Sequence, residues 1–270
     1  MKKIKTKDGA DETTENLHIE RPGIHRNILL FNILSVAWQA NKALITGGLK
    51  YRDFIDQLYT FFMKSWAIVL ICVSFVGVVI AIEYSFHIKL IIGNDTLIPG
   101  FTMLMLTREL APAITALLIV SKMGAAMAAE LGAMKGSEQL DAYRILGLSP
   151  IRLFVVPRLA ASICTVTLLT MLALIVSLTG AWFASVTYLN FSTGDFFMNL
   201  FVFTKGTDFA LCLTKALFFG WSIPIVSCTL GFRAGPGAEG VGLCTTDAVV
   251  YSSIWIIVFD FVFTYLFAGL

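Results

Sequence analysis

Five stretches of roughly twenty mostly apolar residues, the length that crosses the hydrocarbon core of a bilayer, constrain this chain more than any other feature. They fall at residues 65–86, 101–123, within 153–188, 207–230 and 247–267. Hydrocarbon offers no water to a backbone N–H or C=O, so each stretch has to satisfy its own polar groups as a helix. The period-two alternation of a membrane β-barrel is absent. The expected fold class is therefore an all-α integral membrane protein with five transmembrane helices. Only 14% of the residues are charged and the mean hydropathy is +0.80, against roughly a quarter charged in soluble domains. A single soluble core is excluded.

The polar segments divide the chain. Residues 1–27 carry dense charge without apolar periodicity and read as a flexible cytoplasmic tail. Residues 28–64 mix apolar side chains with Asn32, Gln39, Lys42, Arg52 and Asp56, and Gly47-Gly48 interrupts them. That mixture suits an N-terminal interfacial amphipathic helix followed by a second short helix. Residues 65–270 form the five-span domain. Its connections are a turn around Gly93-Asn94-Asp95, a loop at 190–206 with a short helix near 195–201, and a glycine-rich turn at 231–246.

Orientation follows from where Lys and Arg fall. Ten precede the first span, one lies in the first loop, five lie between residues 122 and 158, one lies in each of the next two connections, and none follows the last span. The positive-inside rule then puts the N-terminus and the 121–158 segment in the cytoplasm and the C-terminus outside.

That basic, glycine-punctuated segment carries the most distinctive motifs of the chain. Gly124, Ala128, Gly132 and Gly136 recur every four residues, one ridge of small side chains along a helix. Packing within the chain and a subunit interface are equally open for it. Residues 137–147 read as a short polar helix with Glu138 at its start, Gly147 at its end, and a narrow apolar face of Leu140, Tyr143 and Leu146. Such a helix suits docking into a groove on a soluble partner; the alternative is an interfacial connector without one.

Ionisable side chains inside spans are costly and are functional candidates by default. Glu83, Arg108, Glu109, Lys215 and Asp260 lie in the outer half of the predicted membrane. A cavity rimmed by them would hold acyl chains while pairing with a phosphate-bearing headgroup; otherwise they neutralise one another. Pro112, one turn after Glu109, removes a backbone hydrogen bond and either opens that cavity or relieves packing. Five dispersed cysteines without a C-x-x-C pair argue against a disulfide framework or metal site and read as small buried hydrophobes. His18, His25 and His87 are far apart, and no catalytic constellation emerges.

These motifs resemble the MlaE-type permeases of Mce-linked ABC lipid transporters. The similarity is carried by Arg108-Glu109-Leu110-Ala111-Pro112, Thr115 to Leu118, and residues 124–135 (GAAMAAELGAMK). It continues through Glu138-Gln139-Leu140-Asp141-Ala142, Gly147, Pro150-Ile151-Arg152 and Val155-Val156-Pro157-Arg158. Near the C-terminus Gly240-Val241-Gly242, Thr245-Thr246, Ala248-Val249-Val250 and Asp260 also fit.

The resemblance implies a homodimeric permease, multi-pass in the cytoplasmic (inner) membrane of a bacterium with an outer membrane. Its coupling helix, Glu138, Gln139, Leu140, Asp141, Tyr143, Arg144 and Gly147, would dock onto soluble ATPase subunits. A periplasmic Mce-domain protein would sit on the outer face, a small cytoplasmic accessory subunit is a further expected partner, and nucleic acid is not. Arg108, Glu109 and Lys215 would line the path of a phospholipid or related amphiphile. No G-x-x-x-x-G-K-[ST] occurs in the sequence, so ATP and Mg would be bound by the partner chain. The alternatives are a proton-coupled secondary transporter using Glu109 and Asp260, or a membrane anchor for an Mce-type assembly that transports nothing.

Overall fold

The computed structural model describes residues 26–47, 49–91 and 95–267. Most of the expected tail, with His18 and His25, and the turn at Gly93-Asn94 lie outside them. Every regular element among the described residues is helical, and five helices are long and apolar enough to cross a membrane. In order, α1 is Arg26–Ile45, α2 Tyr51–Ile91, α3 Ile98–Gly136 and α4 Gln139–Ile145. They are followed by α5 Ile151–Tyr188, α6 Thr193–Asn199, α7 Gly206–Gly231 and α8 Gly237–Phe267. The spans are α2, α3, α5, α7 and α8.

Two boundaries differ from the sequence reading. The second short helix expected before residue 65 does not exist as a separate element, because residues 51–64 are the first turns of α2. That stretch of 41 residues contains no proline and a single glycine, so nothing in it ends a helix. The chain breaks instead after α1, where Gly47 takes φ +77°. At the other end α8 starts at Gly237, and the turn is confined to residues 232–236. Glycines read there as loop residues are packing residues. A Cβ on Gly240 would run into the carbonyl of Gly235, which turns back against the helix.

Helices α2 and α5 pack along much of their length. Each offers a glycine to the other's backbone. A side chain on Gly77 would meet the Ser177 carbonyl, and one on Gly180 would come within 2.6 Å of the Ser74 carbonyl oxygen. Helix α7 is the most buried span and lies against α5, α3 and α8, whereas α8 is the least buried and turns an apolar face outward. Helix α1 is apolar on both sides. Leu29, Ile33, Ala37 and Ala40 are buried against the bundle, while Phe31, Leu34 and Trp38 face away from it. Asn41 fastens it by accepting a 3.0 Å hydrogen bond from Trp221 Nε1.

Three single π-helical turns interrupt the spans: Leu106–Leu110 and Val120–Gly124 within α3, and Ile151–Val155 opening α5. Such wide turns re-aim side chains and recur at functional sites. The first of them carries Arg108 and Glu109.

Candidate functional site

A charged layer crosses the bundle at one level. Arg108 and Glu109 come from the π-turn of α3, Asp208 and Lys215 from α7, and Asp260 and Thr264 from one face of α8. Lys215 and Asp260 lie roughly 10–15 Å from the ends of their helices at the helical rise. Lys215 is the hub, with no exposed surface. Its ammonium lies 2.8 Å from each of four oxygens: the Arg108 carbonyl, Glu109 Oε2, Thr264 Oγ1 and Asp260 Oδ1. An ammonium has three N–H groups, so one contact is purely ionic. Asp260 takes that place, because its Oδ1 has no hydrogen bond in the structure. Thr264 closes the ring by donating to Glu109 Oε1 at 2.8 Å.

Burying an ammonium without partners costs several kcal/mol or more, which is why two carboxylates converge on this one. Pro112 adds a local cause. Its nitrogen carries no proton, so it cannot serve the carbonyl four residues earlier, that of Arg108. Lys215 supplies the missing donor.

Arg108 is arranged differently. Its Nε donates to Asp208 Oδ1 at 2.6 Å, and Asp208 is fully buried. The other oxygen of Asp208 accepts the backbone N–H of Lys205 at 2.7 Å, capping the start of α7. Among the described residues no hydrogen bond ends on the terminal nitrogens of Arg108, whose side chain is 31% exposed. The cluster thus offers an open guanidinium edge beside two partly exposed carboxylates, Glu109 and Asp260. By formal charge it holds two cations and three anions.

Four of the five intramembrane candidates, Arg108, Glu109, Lys215 and Asp260, are therefore in one network. Glu83 is not part of it: it is exposed on α2, 3.5 Å from His87 Nδ1 on the next turn. Sequence reasoning missed Asp208 and Thr264. Asp208 was hidden at the polar edge of a span. Thr264, one turn after Asp260, looks like any hydroxyl able to bond its own helix, and the Asp260 carbonyl at 2.9 Å competes with Glu109 for its single proton.

The second candidate region is α4 with its flanks. Glu138 turns the chain at φ +59° and Gly147 ends it at φ +74°, so the helix is set sharply between α3 and α5. Leu140 is buried, and Tyr143 packs edge-on against Phe154 with ring centroids 5.4 Å apart. Asp141 bridges Lys135 Nζ at 3.0 Å and Arg144 Nη1 at 2.9 Å. The Lys135 hydrogen bond, with the charges of Lys135 and Arg144, holds its carboxyl below the usual carboxylate range. The expected apolar face of Leu140, Tyr143 and Leu146 is thus split. The first two hold α4 to the bundle, while Leu146 joins Ile145 and Leu148 as exposed apolar side chains.

Glu130 and Arg158, which carry the resemblance without a role, form a 2.5 Å ion pair joining the C-terminal part of α3 to α5. The small-residue ridge is packed within the chain from Gly124 to Gly132, while Gly136 at its end is exposed. Gly124 faces Ser227 of α7, and Gly132 faces Cys244 of α8 and Ala234. Ala128 is buried, its carbonyl 3.7 Å from Cys244 Sγ, and Gly136 lies near the Gly237 backbone. Among the described residues no group of three or more His, Cys, Asp or Glu side chains could hold a metal ion.

Comparison with known proteins agrees with this architecture. The family model described as Permease MlaE matches residues 54–266. A probable ABC transporter permease protein of Synechocystis is 37% identical over 223 residues, covering 83% of this chain and 84% of the relative. One of Rickettsia prowazekii is 35% identical over 239 residues, 88% and 90% of the two chains. The chloroplastic protein trigalactosyldiacylglycerol 1 of Arabidopsis thaliana is 32% identical over 232 residues, 86% and 66% of the two chains.

Proposed function

The chain belongs to the MlaE family of ABC transporter permeases, and from that premise we propose that it moves a phospholipid or related amphiphile between a bacterial cytoplasmic membrane and a periplasmic carrier. The open edge of Arg108 beside the saturated Lys215 is the observation that carries this reading. A phosphate-bearing headgroup finds a guanidinium with unused donors there, while Glu109 and Asp260 receive an amine. Lys215 holds the frame rather than the ligand. The name of the Arabidopsis relative, which contains a galactolipid, supports a lipid as the substrate class.

The division of labour is part of the proposal. Separate ATPase subunits dock on the cytoplasmic side against α4, where Ile145 and Leu146 stand exposed. Their closure moves α4, the Lys135–Asp141 bridge passes the motion to the inner end of α3, and the tightly packed ridge from Gly132 to Gly124 carries it toward Arg108. An Mce-type protein receives or delivers the lipid outside, and a second copy of the chain covers the apolar face of α8.

The test is reconstitution of the permease with its ATPase in proteoliposomes holding a photoreactive phospholipid. Arg108→Glu is expected to lower crosslinking to the protein and ATP-dependent transport at least about tenfold, the worth of one charge-assisted hydrogen bond. Crosslinking and transport left intact by that change would overturn the headgroup assignment. Transport by the permease alone, without nucleotide, would favour the proton-coupled alternative.

A further inference from the structure

A cleft of about 300 Å³ opens at the other end of the bundle from the charged layer, between α1, the turn after α4 and the turn after α7. Its polar lining is Asn32, Ser35 and Gln39 from α1, Arg144 and Ser149 around the end of α4, and Arg233 just past α7, with Thr229, whose hydroxyl donates to the Ile225 carbonyl. Two guanidinium groups face it, and no carboxylate is among the lining residues. Asp141 occupies one corner of Arg144. Arg233 forms no ion pair with any described residue. Hydroxyl and amide groups from α1 and from the turn after α4 complete a lining suited to an oxyanion. The floor is partly apolar, with Val36 and Phe232.

We propose that this cleft binds a phosphate group, and that it does so as the headgroup of an anionic lipid in the leaflet beside α1. The position of α1 favours the lipid source over free phosphate. Its outer side presents Phe31, Leu34 and Trp38, the residue types that seat a helix at the boundary between headgroups and acyl chains. The cleft on its inner side therefore opens at headgroup level, where basic clusters attract anionic lipids. A bound headgroup ties α1 to Arg144, so membrane composition bears on the helix that meets the ATPase. Assigning the site to the cytoplasmic leaflet rests on the orientation proposed above; the ligand chemistry does not.

The test uses the full chain in nanodiscs, whose two faces are both accessible, so a wrong orientation leaves it unaffected. Discs of phosphatidylglycerol are compared with discs of phosphatidylcholine, and the latter are also measured with added inorganic phosphate. Hydrogen exchange in residues 29–45 and lipid retained in native mass spectrometry are the readouts. Phosphatidylglycerol is expected to protect α1 and to be retained where phosphatidylcholine is not. Arg233→Gln is expected to weaken this about tenfold, and Arg233→Lys less. Ser149→Glu, which sets an anion in the cleft, gives the same loss should Arg233→Gln fail to fold. Protection by inorganic phosphate alone, equal to that by phosphatidylglycerol, would keep the phosphate site and overturn the lipid source. Equal retention of both lipids, or retention unaltered by Arg233→Gln and Ser149→Glu, overturns the site itself.

Discussion

Lys215 Nζ lies 2.8 Å from the carbonyl oxygen of Arg108, the acceptor that Pro112 cannot serve from within its own helix. A kink-prone proline, a buried lysine and two carboxylates on separate helices thus belong to one solution. The proline frees a carbonyl, the lysine fills it, and Glu109 and Asp260 neutralise the lysine.

Lys215→Met is expected to destabilise the permease by about 3–5 kcal/mol, since it leaves two carboxylates facing each other without their cation. Pro112→Ala in that background returns an N–H to the Arg108 carbonyl and should recover about 1 kcal/mol. Alone, in the presence of Lys215, it should recover nothing. Thermal unfolding of the four proteins in one detergent measures the coupling, and strict additivity would refute the shared role.

Asp208 separates two jobs that meet in one side chain. Asp208→Asn keeps an oxygen for the Lys205 N–H but loses the charge beside Arg108. Asp208→Ala loses both. The alanine variant should therefore be less stable than the asparagine variant by about 1 kcal/mol, the worth of a helix cap. Both should alter lipid crosslinking at Arg108 to a similar degree, read by the photoreactive phospholipid assay.

The tether of α4 should respond to acid in one direction only. The folded Asp141 carboxyl is held below its ordinary value, so its contribution is present above the unfolded pKa, about 3.9. It is lost as pH falls through the lower folded value. Hydrogen exchange in residues 137–147 should be unchanged by Asp141 between about pH 7 and 5 and rise below about 4. Asp141→Asn should show the faster exchange already at neutral pH. Asp141→Arg should in addition abolish lipid-stimulated ATPase activity of the assembled complex while the permease remains inserted.

Glycine positions in α2 and α7 should behave oppositely. Gly77→Ala puts a methyl group into the Ser177 carbonyl of α5, and overpacking of that kind costs about 1–3 kcal/mol. Gly206 opens α7 with nothing within 4 Å of a would-be Cβ, so Gly206→Ala should be neutral or slightly stabilising. Melting temperatures of the two variants decide it.

The legible and the hidden parts of the site have different physical origins. Arg108, Glu109, Lys215 and Asp260 were visible because charge inside an apolar run is conspicuous whatever it touches. Glu83 was equally conspicuous, yet it faces away from the layer beside His87, since direction around a helix matters as much as depth. Asp208 sat among polar residues where one more acid carries no signal, and only the fold brings it within 2.6 Å of Arg108.

From its sequence alone this protein was bound to be five membrane-crossing helices with a short polar helix between the second and third. Hydrocarbon enforces intrasegment hydrogen bonding, and a run of twenty apolar residues leaves no other choice. Which glycines turn the chain and which pack it was decided only in three dimensions. So were the burial of Gly124, Ala128 and Gly132 inside the bundle and the sealing of Lys215 beside an Arg108 that stays open. Those outcomes depend on which helix faces which, and residues more than a hundred positions apart, such as Arg108 and Lys215, leave no local pattern from which to read their contact.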